Sequence, residues 1–223
     1  MLLLATDTSG KQGSLALAEC GATCTVIETV PLTGGAFSAQ LVPQIAAVLE
    51  KHGHDRRALG AFAVVSGPGS FTGLRVGLAA IKGLAEALEK PIVAISLLEA
   101  IACSSRVRGR VLALLDAGRG DLYVGDYEVG PEVRMHSERL LSRDEFASEA
   151  RRIECRPVIT ADDALAEILR AAGIEVELIE YPGSAVIARL GWEHLQLGQM
   201  VRPEDLEANY IRRSDAEIFA KPR

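Results

Sequence analysis

Ser66-Gly67-Pro68-Gly69-Ser70-Phe71-Thr72-Gly73-Leu74-Arg75-Val76-Gly77, continuing through Leu78-Ala79-Ala80-Ile81-Lys82-Gly83-Leu84, joins an apolar strand to a helix built on small residues. The strand is Ala61-Phe62-Ala63-Val64-Val65, a short continuous apolar run of the length expected for a buried strand. Gly67-Pro68-Gly69 breaks it. Either Ser70 or Thr72 can cap the helix, because a hydroxyl there accepts from an otherwise unpaired amide of the first turn.

Within the helix Gly73, Gly77, Ala80, Gly83 and Ala87 recur every three or four residues and form one stripe. Each interior glycine costs about 1 kcal/mol relative to alanine, so a close approach has to offset Gly77 and Gly83. Leu74, Val76, Leu78, Ile81, Leu84 and Leu88 supply apolar surface beside the stripe. The pattern leaves two readings open: the stripe packs against this chain's own sheet, or it receives a second polypeptide. A phosphate-binding loop is a poorer fit. Gly73 is followed by Leu74 and Arg75 instead of the Lys-Ser/Thr of a nucleoside-triphosphate loop, and Thr72 stands where a dinucleotide fingerprint needs its third glycine.

Length and composition fit a folded protein: 223 residues, 48% of them hydrophobic, are enough for one large domain or two small ones. The opening run Met1-Leu2-Leu3-Leu4-Ala5 is too short for a signal-peptide core, and no later run reaches membrane-spanning length, so the expected compartment is the cytoplasm. Cys20, Cys24, Cys103 and Cys155 show no paired metal spacing and are expected as ordinary thiols. His52 and His54 lie two apart, off a common helix face, while His136 and His194 are isolated; no metal site is expected. The net charge of −6 disfavours a broad phosphate-binding surface, so direct nucleic-acid binding is not the expected main task.

Strands are expected at 2–6, 14–19 and 23–30, then a helix from Ser38 with Leu41, Val42, Ile45, Val48 and Leu49 on its apolar face, the strand at 61–65, the small-residue helix, and a strand at 91–95. The second half repeats that order less clearly: strands at 111–115, 121–127 and 132–136, helices at 143–151 and 161–172, and strands at 157–160 and 175–179. A further helix is expected over 184–200. Leu112-Ala113-Leu114-Leu115-Asp116 aligns with Leu3-Leu4-Ala5-Thr6-Asp7 at an offset of 109, close to half the chain. Two related α/β halves follow from that repetition.

The opening Leu4-Ala5-Thr6-Asp7-Thr8-Ser9, the helix start Ser38-Ala39-Gln40-Leu41-Val42-Pro43-Gln44-Ile45, the Gly67–Gly77 signature, Asp116-Ala117-Gly118-Arg119-Gly120-Asp121-Leu122-Tyr123 and the closing Asn209-Tyr210-Ile211-Arg212-Arg213 together resemble the TsaB (YeaZ) family of tRNA threonylcarbamoyladenosine (t6A) biosynthesis. The resemblance implies the actin-like, sugar-kinase and heat-shock ATPase (ASKHA) fold: an α/β chain of two lobes, each with a mixed sheet flanked by helices. The lobes are expected at 1–105 and 106–208, with the tail 209–223 packing back on the first. It also implies a non-catalytic role beside a TsaD-type catalytic subunit and a TsaE-type ATPase. The metal-binding His-x-x-x-His of TsaD is replaced here by Phe37 and Leu41, neither of which can ligate a metal.

The expected interface is the helix from Ser38 and the glycine stripe: Leu41, Ile45 and Leu49 as knobs against Gly73, Gly77, Ala80 and Gly83, flanked by Leu74, Ile81 and Leu84. Self-association through that patch implies a homodimer in isolation, with tRNA touched at most indirectly. No cofactor is expected on this chain; ATP and Mg²⁺ in the complex are supplied mainly by the partner. The rival reading is an ATP-dependent kinase-like or carbamoyltransferase enzyme, with Asp7 on Mg²⁺, Thr8 in the loop and Ser9 on a phosphate. Peptidase chemistry has neither a zinc motif nor a recognisable Ser-His-Asp order behind it.

Overall fold

The computed structural model describes residues 1–150 and 156–212, which form two compact units. The first contains Met1–Ala100 and Pro182–Ala208, the second the described residues of 101–181 and of the tail, 209–212.

In the first unit β1 (Leu2–Asp7), β2 (Gly13–Cys20) and β3 (Cys24–Leu32) form an antiparallel meander. Then β4 (Leu59–Gly67) pairs parallel with β1, and β5 (Ile92–Ser96) parallel with β4, giving the order β3-β2-β1-β4-β5. Every residue of β1 is buried, as are all of β4 but Gly60, so both faces of the sheet are covered. This explains why Ala61–Val65 reads as a continuous apolar run without alternation. Helices α1 (Phe37–Lys51) and α2 (Phe71–Leu88) pack beside each other, and α6 (Ser184–Gln196) lies across β1 to β5. A Cβ on Gly191 of α6 would stand 2.5 Å from Cβ of Ala63, so this glycine sets how closely α6 meets the sheet. Ser184 anchors the start of α6: its Oγ donates to Ser14 O at 2.6 Å and its amide to Ser14 Oγ at 2.9 Å.

The second unit repeats the plan. Strands β6 (Gly109–Gly118), β7 (Asp121–Val129) and β8 (Val133–Ser142) form the meander, with β9 (Val158–Thr160) parallel to β6 and β10 (Val176–Leu178) parallel to β9. The order β10-β9-β6-β7-β8 is that of the first sheet with each strand replaced by its counterpart. Helices α4 (Arg143–Ala150) and α5 (Asp163–Ala171) cover it, and Leu114, Leu122, Val124, Phe146, Leu165 and Leu169 belong to one buried core. Asp162 caps α5 by accepting from Leu165 N at 3.0 Å. Asp126, 4% exposed, is held by Arg110 through two bonds of 2.8 and 2.9 Å and by Arg156 at 2.7 Å. Those guanidinium groups outweigh the effect of burial and hold its carboxyl below the usual carboxylate range.

Two expectations are corrected. The expected lobe boundary at 105/106 falls close to the observed one, but residues 182–208 belong to the first unit, because α6 buries Ile187, Ala188 and Leu190 against the first sheet. The tail does not return to the first lobe over its described part. Asn209 donates to Glu138 at 2.7 Å, and Arg212 to Ala117 O at 2.9 Å and to Asp121, all in the second unit. The rest of the tail, 213–223, lies outside the described residues, as do Arg151, Arg152 and Cys155. Finally, α3 (Leu97–Cys103) was not foreseen; its Leu97-Leu98-Glu99-Ala100-Ile101 run directly continues the apolar pattern of β5 and hides the boundary.

Candidate functional site: a sealed turn and an open helix face

The turn after β1 and the start of α2 are built as one object. Asp7, Thr8 and Ser9 are 1–3% exposed. Ser9 donates twice to Asp7 Oδ1, from its amide at 2.8 Å and its hydroxyl at 2.6 Å, closing an Asx-type turn. Ser9 O in turn accepts from the amide of Ser70 at 2.7 Å, and Thr8 Oγ1 donates to Gly73 O at 2.7 Å. The Gly67–Pro68 peptide is cis. Ser70 is the cap the sequence allowed: its Oγ accepts from Gly73 N at 3.3 Å.

The glycines exist for this contact. A Cβ would lie 2.6 Å from Ser9 O at Gly69, 2.0 Å from Thr8 O at Gly73, and 2.3 Å from Thr8 Oγ1 at Gly77. Half of the stripe is therefore filled by the chain's own turn, and the expectation that Gly73 and Gly77 are bare for a partner is corrected. The expected knobs are corrected as well. Leu41, Ile45 and Leu49 are 1–4% exposed and, with Leu74 and Ile81, sit in the first unit's core. The physical reason is common to all of them: the strongest apolar periodicity marks the face a helix turns to its own sheet.

What remains open is the opposite side. Gly83 would meet nothing within 4 Å if it carried a Cβ. Ser38 is exposed, and Ala80 and Leu84 are half-buried. Around them stand exposed Ala39, Val42 (49%), Pro43, Ala46 and Ala47 on α1, and Ala79 and Ala87 on α2. Pro43 lies two turns into α1 on this exposed side, where water can take the carbonyl its missing amide leaves unpaired. At the near end, Arg75 stacks on Phe71 at 3.6 Å from the ring centroid. Sequence reasoning missed most of this face. Its signal was the run of small residues on the side away from the leucines.

The turn after β6, the counterpart in the second unit of the Asp7–Ser9 turn, is also occupied. Asp116 accepts from Arg143 at 3.2 Å, and the carbonyls of Ala117 and Gly118 accept from Arg212. Gly118, Arg119 and Gly120 all have positive φ, of 71, 57 and 86°. Phe37, expected to stand in place of a metal-ligating histidine, is 6% exposed, with its ring against Gly13. Among the described residues no three His, Cys, Asp or Glu come together as a metal site, and no helix is long and apolar enough to cross a membrane.

A duplicated meander followed by two parallel strands, with helices on the sheets, defines a protein of the actin-like, sugar-kinase and ATPase fold class. The activator of the 2-hydroxyisocaproyl-CoA dehydratase from Clostridium difficile, solved with bound ADPNP, shares that fold: the TM-score is 0.52 at 11% identity, over 89% of this chain and 97% of that one. YeaZ from Pseudomonas aeruginosa superposes with a TM-score of 0.74 at 25% identity, covering 94% of this chain and 99% of that one. The tRNA threonylcarbamoyladenosine biosynthesis protein TsaB of Escherichia coli is 33% identical over 141 residues, 62% of this chain and 60% of the relative's own length. Residues 31–154 match the family described as "TsaD: tRNA N6-adenosine threonylcarbamoyltransferase". The chain belongs to this family, in its TsaB (YeaZ) branch.

Proposed function

We propose that this chain is a non-catalytic accessory subunit of t6A biosynthesis in the cytoplasm, docking a TsaD-type catalytic subunit through the outer face of α1 and α2. One observation carries the reading. The Asp7–Ser9 turn, where actin-like enzymes would hold Mg²⁺ and phosphate, is buried with its Ser9 donors committed to Asp7 and its carbonyl to Ser70. That arrangement does not fit a nucleotide, so ATP and Mg²⁺ belong to the partner and to the TsaE-type ATPase. The same helices leave small residues outward at Ala46, Ala79, Ala80 and Gly83, which allow another backbone to approach closely. Alone, the chain covers this face by pairing with a second copy, and tRNA reaches it only through the complex.

The test is size-exclusion chromatography of the purified chain with its TsaD counterpart. Ala79→Arg places a charge on the open face without touching the core; it should abolish co-elution and self-association while the circular dichroism is unchanged. Unaltered co-elution overturns the interface. Calorimetry with Mg·ATP tests the rival enzyme: binding that disappears in Asp7→Ala overturns the accessory reading.

A further inference from the structure

We infer that Cys20 and Cys24 form a reversible redox pair, closing to a disulfide when a hydroperoxide oxidises the chain. Cys20 ends β2 and Cys24 begins β3, and the two are direct cross-strand partners in the antiparallel ladder. Directly opposed residues of such a ladder have Cα atoms about 4.5–5.5 Å apart, inside the span of about 4.4–6.8 Å that a disulfide bridges. Their side chains share a face: Cys20 Sγ donates to Cys24 Sγ at 2.9 Å. The hairpin between them is fixed by Gly21 N donating to Thr23 O at 2.9 Å, so the sulfurs meet without rearrangement. The spacing of four residues gave no such signal in the sequence, because only the strand register turns it into contact.

The two thiols differ in a way that sets the order of events. Cys20 is 2% exposed, and burial, reinforced by the hydrogen bond and charge of Cys24, pushes its thiol up to about 12. Cys24 is half-buried and reachable by a small oxidant. Cys24 Sγ attacks one peroxide oxygen; an S–O bond forms, the O–O bond breaks, and the departing hydroxide takes the thiol proton to leave as water. Cys20 Sγ then attacks Cys24 Sγ, forming the S–S bond. The S–O bond breaks, and hydroxide leaves with the Cys20 proton as a second water. Each sulfur gives up one electron, and the peroxide is reduced to two waters. Closure also removes the hydrogen that Cys24 donates to Ala188 O of α6 at 3.6 Å. Oxidation at the hairpin therefore loosens one tie between the edge of the sheet and α6.

The experiment exposes the full folded chain to hydrogen peroxide, alkylates with iodoacetamide under denaturing conditions, and weighs the tryptic peptide Gln12–Lys51, which holds both cysteines. The expected peptide lacks two hydrogens and takes no alkyl group, and dithiothreitol restores double alkylation. Cys24→Ser should keep its hydrogens and leave Cys20 alkylatable, whereas Cys103→Ser should oxidise like the parent chain. Double alkylation after peroxide, stable oxygen addition to one sulfur, or a bond joining this peptide to Cys103 or Cys155 overturns the inference.

Discussion

Replacing Gly73 and Gly83 by alanine, one at a time, sets two positions of a single helix against each other. Alanine is favoured over glycine in a helix by up to about 1 kcal/mol. At Gly83 a Cβ meets nothing within 4 Å, so the gain stands almost undiminished, at about 0.5–1 kcal/mol. At Gly73 the same atom would lie 2.0 Å from the carbonyl oxygen of Thr8. The obstacle is backbone in a turn 1–3% exposed and tied by Ser9 and Ser70, so it cannot swing aside like the end of a flexible side chain. Overpacking of this kind costs about 1–3 kcal/mol. Displacing Thr8 also weakens its 2.7 Å bond to Gly73 O, a loss of about 1 kcal/mol. After the propensity gain, Gly73→Ala should destabilise the first unit by about 1–3 kcal/mol. Urea unfolding followed by circular dichroism reads both: with a slope of about 2 kcal/mol per molar, the midpoint falls by about 0.5–1.5 M for Gly73→Ala and rises by a few tenths for Gly83→Ala. Equal midpoints for the two variants would refute the packing of the turn against α2.

Three further outcomes follow from the hydrogen bonds. His194 is buried, which opposes its charge, but the 2.8 Å bond to Glu99, together with the charges of Glu99 and Glu193, raises its pKa above the ordinary value. Its contribution to stability is therefore fully present below about pH 6.5 and is lost as pH rises through the raised folded value; Glu99→Gln should lower the His194 titration midpoint measured by NMR and flatten that pH dependence. Asp126 has a depressed pKa, so its stabilisation is present above about pH 4 and lost as pH falls through the folded value. Asp126→Asn should cost the second unit about 2 kcal/mol by thermal unfolding at neutral pH, a figure held down by the 41% exposure of Arg110. Ser70→Ala removes the α2 cap and should lower stability by about 1 kcal/mol in the same urea assay.

The duplicated architecture was legible because its signals are local. Ala61–Val65 has a buried strand's composition, Gly67–Pro68–Gly69 stops it, and the offset between Asp7 and Asp116 repeats the order in the second half. The site was legible only in part. Glycine spacing marked close approach at Gly73 and Gly77 correctly, but a sequence does not say whose backbone approaches, and here it is that of Thr8. Leu41 and Ile45 were misplaced for the complementary reason. A strong apolar stripe usually faces its own sheet, and the outward face made of Ala46, Ala79 and Gly83 is too weakly apolar to stand out in a periodicity. The place of α6 was beyond reach because it depends on packing across a long sequence separation, with Gly191 against Ala63.

That long-range placement governs how the protein can be dissected. The chain leaves the first unit near Ala100, re-enters it at Pro182 and leaves again after Ala208, so neither half corresponds to a continuous stretch. A fragment cut at residue 105 would be missing the helix that shields Leu3 and Ala63, and would be expected to aggregate when expressed alone. Co-expressing residues 182–208 as a separate peptide restores the missing cover, which makes this chain a candidate for a split, complementing pair of polypeptides.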